Sequence, residues 1–398
     1  MPVCRGRRSP VAEFTFTDEQ EQLRSAVRKF AADNSSEEAV RRLAESDPPF
    51  DARVWARLGA ELGVLGLSVP ESDGGAGGTL VDQAIAVEEL GAALACGPFF
   101  GTVYLAIPAL VAASVGEVRD SVLSDLVEGR RTAAFAVPDA AGSFDAALVR
   151  VTAQLSGDGH TLSGTVDRVV DGTVADDLLV AANGPDGLGL YVVDAAGTGV
   201  DRTKLVTLDL TRPQARIEFS GAPARLVAGP ADAERVIGHA LHVGSALLAA
   251  EQVGAAQHLL DLAVDYAKTR LQFGRPIGSF QGVKHRLANM LVDAEHARST
   301  AYHAAWALTD GTDDPVIAAS IAQATCSAAL LDIARQAIQV LGGIGFTWEH
   351  QAHLYFKRAS TDAALLGGAE QHRSRIADLL LDTATATKTP WVADGAPA

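Results

Sequence analysis

Tyr266-Ala267-Lys268-Thr269-Arg270-Leu271-Gln272-Phe273-Gly274-Arg275-Pro276-Ile277 closes one long stretch of helical period, and Phe280-Gln281-Gly282-Val283-Lys284-His285-Arg286-Leu287-Ala288 opens the next. Gly274 and Pro276 break the first helix, so Arg270 and Gln272 fall at its end, where a guanidinium fork can clasp a pyrophosphate. The plainer account is a C-terminal arginine complementing the helix dipole. A second break, Gln339-Val340-Leu341-Gly342-Gly343-Ile344-Gly345-Phe346, ends a later helix with three glycines in four positions. It bares backbone N–H groups to a ligand, although a glycine C-cap explains much of it.

Outward from these breaks the helical period runs almost to the end. Ala233 to Lys268, Phe280 to Thr309, Pro315 to Leu341 and Leu365 to Thr383 are Ala- and Leu-rich and predict a helical bundle, packed against helices of this chain or another. Between Thr132 and Leu226 the texture changes to short β-branched runs separated by Gly, Asp and Asn, such as Ala133 to Val137, Val149 to Leu155, Leu178 to Ala182, Leu188 to Val193 and Ala215 to Phe219. Asn183-Gly184 and Asp186-Gly187 supply turn chemistry, and the segment reads as an antiparallel β-domain. Before it, Thr17 and Gln20 have the spacing of a reciprocal helix cap, and apolar faces recur at helical spacing through Leu65, with a glycine-rich loop from Ser72 to Gly78. The expected organisation is therefore α+β, with an N-terminal helical bundle (14–130), a central β-barrel or sandwich (131–228) and a C-terminal four-helix bundle (229–385). A loosely held tail starts at Lys388.

The 398 residues carry 33 Lys+Arg against 49 Asp+Glu, a net charge of −16, with 48% apolar residues. That is enough for a large core in two or three domains, and the acidic balance repels nucleic acid. Cys4, Cys96 and Cys326 have neither disulfide-framework nor metal-ligand spacing, so no metal site is expected. Met1 to Pro10 carries Arg5, Arg7 and Arg8 without a following signal-length apolar run, which leads us to expect a cytoplasmic protein. Apolar stretches such as Ala246 to Ala250 stop at Glu251 and Gln252, short of about 18 to 20 residues, so no membrane span is expected.

Taken together, Arg270-x-Gln272-Phe273-Gly274-x-Pro276-Ile277-x-x-Phe280-Gln281, Gln339-x-x-Gly342-Gly343-x-Gly345-Phe346, Pro70-Glu71-x-x-Gly74-Gly75 and Glu88-Glu89-Leu90-Gly91 resemble the acyl-CoA dehydrogenase family, over nearly the whole chain from Phe16 to Leu381. The actinobacterial heteromeric enzymes acting on steroid or long-chain thioesters are the most similar type. The resemblance implies an FAD enzyme, commonly a tetramer, that desaturates an acyl-CoA and passes electrons to an electron-transfer flavoprotein. It also implies that Arg270, Gln272, Phe273, Gln281, Gln339, Gly342 and Gly343 hold the FAD of a neighbouring, homologous subunit.

The β-domain departs from that pattern. Where the family has Thr-Glu-Pro before Gly-Ser-Asp, this chain reads Ala136-Val137-Pro138-Asp139-Ala140-Ala141-Gly142-Ser143. Where the family has Trp-Ile-Thr-Asn-Gly against the flavin, it reads Arg168-Val169-Val170-Asp171-Gly172, and a valine donates no hydrogen bond. The two places where the family carries its base fall on Leu366 and Gly244, neither of which can take a proton.

Glu251 is the nearest replacement: seven residues after Gly244 it returns to the same helix face, roughly 10 Å further along. Its apolar setting suits either a base of raised pKa or a buried acid bonded to an arginine. Glu370 is expected to face solvent, His285 to serve packing or the cofactor shell, and Trp348-Glu349-His350 to be structural. Three readings follow. The chain is a subunit of a heteromeric acyl-CoA dehydrogenase that gives its neighbour trans FAD contacts; or a self-sufficient homotetramer with Glu251 as base; or a flavin-free CoA-thioester-binding or scaffold protein. A flavin monooxygenase on the same fold has no specific pointer.

Overall fold

The structure is a computed structural model that describes residues 15–386 except 139–141, 158 and 312. Cys4, the arginines at 5, 7 and 8, the stretch from Asp139 to Ala141 and the tail from Lys388 lie outside the described residues.

The chain begins in helices α1 (Asp18–Asn34), α2 (Glu37–Ala44), α3 (Ala52–Ala60), α4 (Leu80–Ala92), α5 (Ile107–Ala112) and α6 (Glu117–Val127). Thr17 and Gln20 form the reciprocal cap that starts α1. A π-helical stretch, Phe100–Ala106, runs directly into α5 and is buried throughout.

Seven strands follow, β1 (Ala133–Ala136), β2 (Thr152–Ser156), β3 (Gly159–Val170), β4 (Asp177–Gly184), β5 (Gly187–Asp194), β6 (Val200–Lys204) and β7 (Gln214–Ala228), in one sheet. Most pairings are antiparallel, and β4 returns as β5 through the tight turn from Gly184 to Gly187. The wholly antiparallel sheet expected from sequence is corrected at β4, which pairs parallel with the edge strand β1 and, through Thr152 and Asn183, with β2. The chain makes β2 and β3 before it returns to lay β4 beside β1, so the two run the same way.

The C-terminal half is α7 (Ala233–Thr269), a two-stranded hairpin of β8 (Leu271–Gln272) and β9 (Arg275–Pro276), α8 (Gln281–Asp310), α9 (Pro315–Leu341), α10 (Ala352–Asp362) and α11 (Ala369–Ala386). α7 is about 55 Å long at 1.5 Å per residue, and every residue from Val243 to Ala256 is buried. A helix apolar all round must be enclosed, and α7 is packed by α4, α8, α9 and α10. It meets α4 backbone to backbone: a Cβ on Gly254 would stand 1.9 Å from the Glu88 carbonyl oxygen, and one on Gly91 2.4 Å from that of Glu251.

The Glu88-Glu89 pair of the resemblance is buried beside that crossing. Glu88 takes hydrogen bonds from Arg24 at 2.9 Å, and from Tyr302 and Arg298; Glu89 takes two from Arg28. These ties join α1, α4 and α8 and leave the motif a structural task. The segment Pro315–Phe346, chiefly α9, is long and apolar enough to cross a membrane by length and composition, contrary to expectation, but 61% of its most apolar window is buried inside the protein. Small residues such as Ala318, Ala319, Ala322 and Ser327 let α7, α8 and α11 close on it.

Candidate functional site

A cleft of about 690 Å³ opens between the β-domain and the C-terminal helices. Phe135 and Val137 from the end of β1, Thr165 to Arg168 and Val170 of β3, Leu241 of α7 and the turn from Ala364 to Gly367 line it. That size suits a small-molecule ligand.

Of the two positions where the resemblance puts a base, Leu366 lines this cleft, and the structure brings Gly244 up behind it. A Cβ on Gly244 would lie 3.3 Å from Leu366 Cδ1 and 2.6 Å from Leu105 Cδ2. Leu105 and Leu366 thus fill the space into which a carboxylate would reach. Leu366 is 3% exposed and sits at φ +54, a left-handed conformation costly for a leucine, ahead of Gly367 at φ +93. The turn is pinned from two sides: His372 Nε2–H donates to the Leu366 carbonyl at 2.7 Å, and Gln323 Nε2 to that of Leu365 at 3.0 Å. His242, one half-turn before Gly244, is a titratable neighbour the sequence reading passed over. Burial and then Arg375 lower its pKa to about 4, and its Nε2 accepts from Arg375 Nη2 at 3.2 Å. That ring nitrogen is occupied.

Behind the cleft wall lies a buried charge cluster centred on Glu251. Arg212 reaches its two oxygens at 2.5 and 2.7 Å, Tyr104 donates at 2.7 Å, and Arg358 adds a further bond. Burial alone would push the Glu251 pKa up, but the guanidiniums of Arg212 and Arg358 outweigh it and hold the group at about 2. A carboxylate held that strongly as the anion is a poor proton acceptor at neutral pH. The geometry therefore corrects the reading of Glu251 as a base in favour of the buried acid bonded to arginine. Its partners, 39 residues before and 107 after it, are invisible to local pattern.

The cluster holds more acid than base. Asp209 accepts from Arg358 Nε at 2.7 Å and from the Thr211 N–H and hydroxyl. Asp362 is fully buried, lies 3.5 Å from Arg212 Nη1, and has no hydrogen bond on either oxygen. Three carboxylates thus face two guanidiniums, and burial raises the Asp362 pKa to about 7. Asp171, whose Oδ2 accepts the Gly101 N–H at 2.8 Å, is also raised by burial, to about 6. The Arg212 guanidinium lies 5.2 Å from the centroid of the Phe100 ring, and Phe100 lines the cleft.

The residues singled out around the two helix breaks gather at one end of the C-terminal bundle. α7 and α8 are joined by the short β8–β9 hairpin and α9 runs back along α8, so the end of α7, the start of α8 and the end of α9 coincide. Arg270, Gln272, Phe273, Gln281, Gln339, Gly342 and Gly343 are all exposed. Phe273 is 92% exposed at φ +50. Gln272 bonds only the neighbouring Leu271 carbonyl, and the Arg270, Gln281 and Gln339 side chains have no hydrogen-bond partner among the described residues. His285 is exposed at this same end, not packed as one reading had it. Trp348 packs under the Lys357 ammonium at 4.2 Å and the His350 Nδ1 accepts the Ala352 N–H, a structural use of that tripeptide. Glu370 is exposed and paired with Arg373. No metal-ligand cluster exists among the described residues.

Tested against FAD, the two halves differ. The exposed arginine, amides and bare glycine backbone at the bundle end fit phosphate and adenosine groups of a neighbour's cofactor. The cleft fits the flavin ring less well: Val170, at the position of the hydrogen-bonding threonine, has no donor to offer it, and the hydrogen-bonding groups nearby on the lining are those of Thr165, Arg168 and Gln214.

Comparison with known proteins bears on the same chain. The family model described as acyl-CoA dehydrogenase, N-terminal domain, matches residues 17–130, and that described as acyl-CoA dehydrogenase, C-terminal domain, matches 234–381. Acyl-CoA dehydrogenase IpdE2 of Mycobacterium tuberculosis is 36% identical over 88% of this chain and 94% of its own. Among solved structures, a steroid ACAD variant, Tcur3481-Tcur3483, is 32% identical with TM-score 0.81 over 92% of this chain and 99% of that one. The ChsE4-ChsE5 complex of Mycobacterium tuberculosis is 30% identical with TM-score 0.82 over 95% and 100%.

Proposed function

Since the chain belongs to the acyl-CoA dehydrogenase family, whose members are FAD-dependent oxidoreductases acting on acyl-CoA, we propose that it is the base-free half of a heteromeric enzyme of that family. The observation that carries this reading is the contact of Gly244, Leu105 and Leu366, which leaves no proton acceptor at either base position.

In this reading a homologous partner subunit supplies the carboxylate and the flavin-ring contacts. Arg270, Gln272, Gln281 and Gln339, with the backbone of Gly342 and Gly343, hold the diphosphate and adenosine of the partner's FAD, and Phe273 covers it. Bound FAD supplies the acceptor for the β-hydride of the thioester, and an electron-transfer flavoprotein reoxidises the enzyme. Arg270 neutralises phosphate charge without giving up a bond it already makes, so its contribution goes wholly to the cofactor. The two solved relatives named as steroid ACAD and as a two-protein complex support a heteromer and a bulky thioester. The self-sufficient alternative is weakened by the two arginines on Glu251.

The test is the visible spectrum of the protein purified alone and with a co-expressed partner, with FAD per chain quantified. Little flavin alone and FAD retained in the complex supports the reading, and Arg270→Ala in this chain then empties the complex. One FAD per chain in the protein alone, bleached anaerobically by an acyl-CoA, refutes it.

A further inference from the structure

We infer that the outer face of the loop between β6 and β7, continued by Trp348, is the surface on which the homologous partner subunit docks, with Trp348 as its aromatic anchor. The inference deepens the function proposed above and rests on it.

The loop carries its apolar residues on the wrong side for a half-buried segment. From Val206 to Thr211 exposure alternates residue by residue: Val206, Leu208 and Leu210 are exposed, Thr207 is half-buried, and Asp209 and Thr211 are buried. An extended segment with one face in water ordinarily turns its apolar side chains inward and its polar ones outward. Here the polar set is held in. The Thr207 hydroxyl donates to the Asp209 carbonyl at 2.9 Å, the Asp209 carboxylate accepts from Arg358 Nε at 2.7 Å, and Arg358 Nη2 donates to the Thr211 hydroxyl at 2.6 Å. Three aliphatic side chains are thereby fixed outward, Val206 fully exposed. A face already held rigid loses little freedom when a second protein covers it.

Leu210 ties this face to Trp348. The two line one surface notch together with Leu354 and the charged Arg41, Glu45 and Lys357. Apolar contact beside charges of both signs suits a protein interface, and exposed aromatic residues are the usual energetic anchors of one. The Trp348 ring is already positioned, by the Lys357 ammonium at 4.2 Å and the His353 ring, edge to face, at 4.6 Å, and it stays exposed nonetheless.

Continuity argues for the occupant. Among the described residues the exposed aromatic side chains are Phe273, Phe346 and Trp348. Phe273 and Phe346 stand at the bundle end that holds the partner's FAD in the reading above, and Trp348 follows Phe346 by two residues. A subunit that brings its cofactor to that end meets Trp348 next, and Leu210, Leu208 and Val206 beyond it. An electron-transfer flavoprotein and a second copy of this chain are the competing occupants.

The experiment is to co-express the chain with a homologous chain that carries a glutamate at a base position and to measure the dissociation constant of their complex by sedimentation velocity, with FAD in excess. Leu208→Asp/Trp348→Ala is expected to weaken the complex about ten-fold or more. The thermal melt of the chain alone stays unchanged, since both side chains are exposed. Should the melt move, Val206→Asp at the fully exposed position repeats the measurement; Val115→Asp, exposed between α5 and α6, leaves the complex intact. A complex of unchanged affinity in the loop variants, with its FAD retained, overturns this inference alone. So does a loss of electron transfer to the flavoprotein without loss of the complex, which assigns the face to that protein. A flavin-free oligomer of this chain alone that Leu208→Asp splits assigns the face to a second copy and overturns it as well. A flavin-loaded chain purified alone, or no complex with the co-expressed chain, overturns the function and this inference together.

Discussion

Asp362→Asn should make the protein more stable, by an amount that grows with pH. The side chain is fully buried, has no hydrogen bond on either oxygen and has only Arg212 at 3.5 Å as counter-charge. Glu251 and Asp209 beside it already engage the two guanidiniums. Burial raises its pKa from 3.8 to about 7. A carboxyl whose folded pKa lies above its unfolded one binds more protons when folded, so its cost is absent below about pH 4, grows as pH rises, and levels off above about pH 7. At 1.36 kcal/mol per pH unit, the interval from 3.8 to about 7 corresponds to about 4 kcal/mol. Asparagine never ionises and escapes that slope. Urea unfolding of both proteins at pH 5, 6, 7 and 8 measures it, since urea leaves charge interactions unscreened. The expected gap is between about 1 and 2 kcal/mol at pH 5 and about 4 kcal/mol at pH 8. A gap that does not change with pH, or an asparagine variant less stable at pH 8, refutes the account of Asp362 as the surplus acid of the cluster.

The opposite sign is expected at its neighbour: Glu251→Gln removes the one carboxylate that hydrogen-bonds both Arg212 and Arg358, which Asp362 does not reach in that way, and should cost about 3 to 5 kcal/mol in the same urea assay at pH 7. Loss of activity in the assembled enzyme without loss of stability would instead restore Glu251 as a base. Gly254→Ala places a methyl 1.9 Å from the Glu88 carbonyl oxygen and should abolish soluble folded protein or lower its unfolding free energy by several kcal/mol, read by thermal melt; a near-normal melt would show that α4 and α7 can part cheaply. Leu366→Glu should give no dehydrogenase activity in the chain alone, since Leu105 and the valine-lined cleft remain; flavin bleaching by an acyl-CoA would contradict that.

The break between α7 and α8 was legible because Gly274 and Pro276 interrupt an otherwise unbroken apolar period, and the ends of α7, α8 and α9 fall within a residue or two of expectation. β3 was missed because Gly164 and its polar alternation weaken a strand that pairing with β7 nonetheless completes, and β6, Val-Asp-Arg-Thr-Lys, has a single apolar residue and no alternation. α10 starts at Ala352 behind Gln351, which gives it no side-chain cap and left its onset unmarked. At the candidate site, the loss of both base positions could be counted from the motifs, whereas their contact with each other could not, since Gly244 and Leu366 meet only through tertiary packing. The same holds for Glu251: its apolar flanks announced burial, but only the fold supplies Arg212 and Arg358.

The packing of Leu105 and Leu366 over Gly244 also bears on history. A glutamate at position 244 would collide with two leucines, and one at 366 would still stand over hydrocarbon. Each single step back toward an acid is unfavourable until the others are taken, so the changes are mutually contingent. On the proposed function this makes the absence of a base self-reinforcing: with the cleft closed around Leu105 and Leu366, no single substitution restores a proton acceptor there.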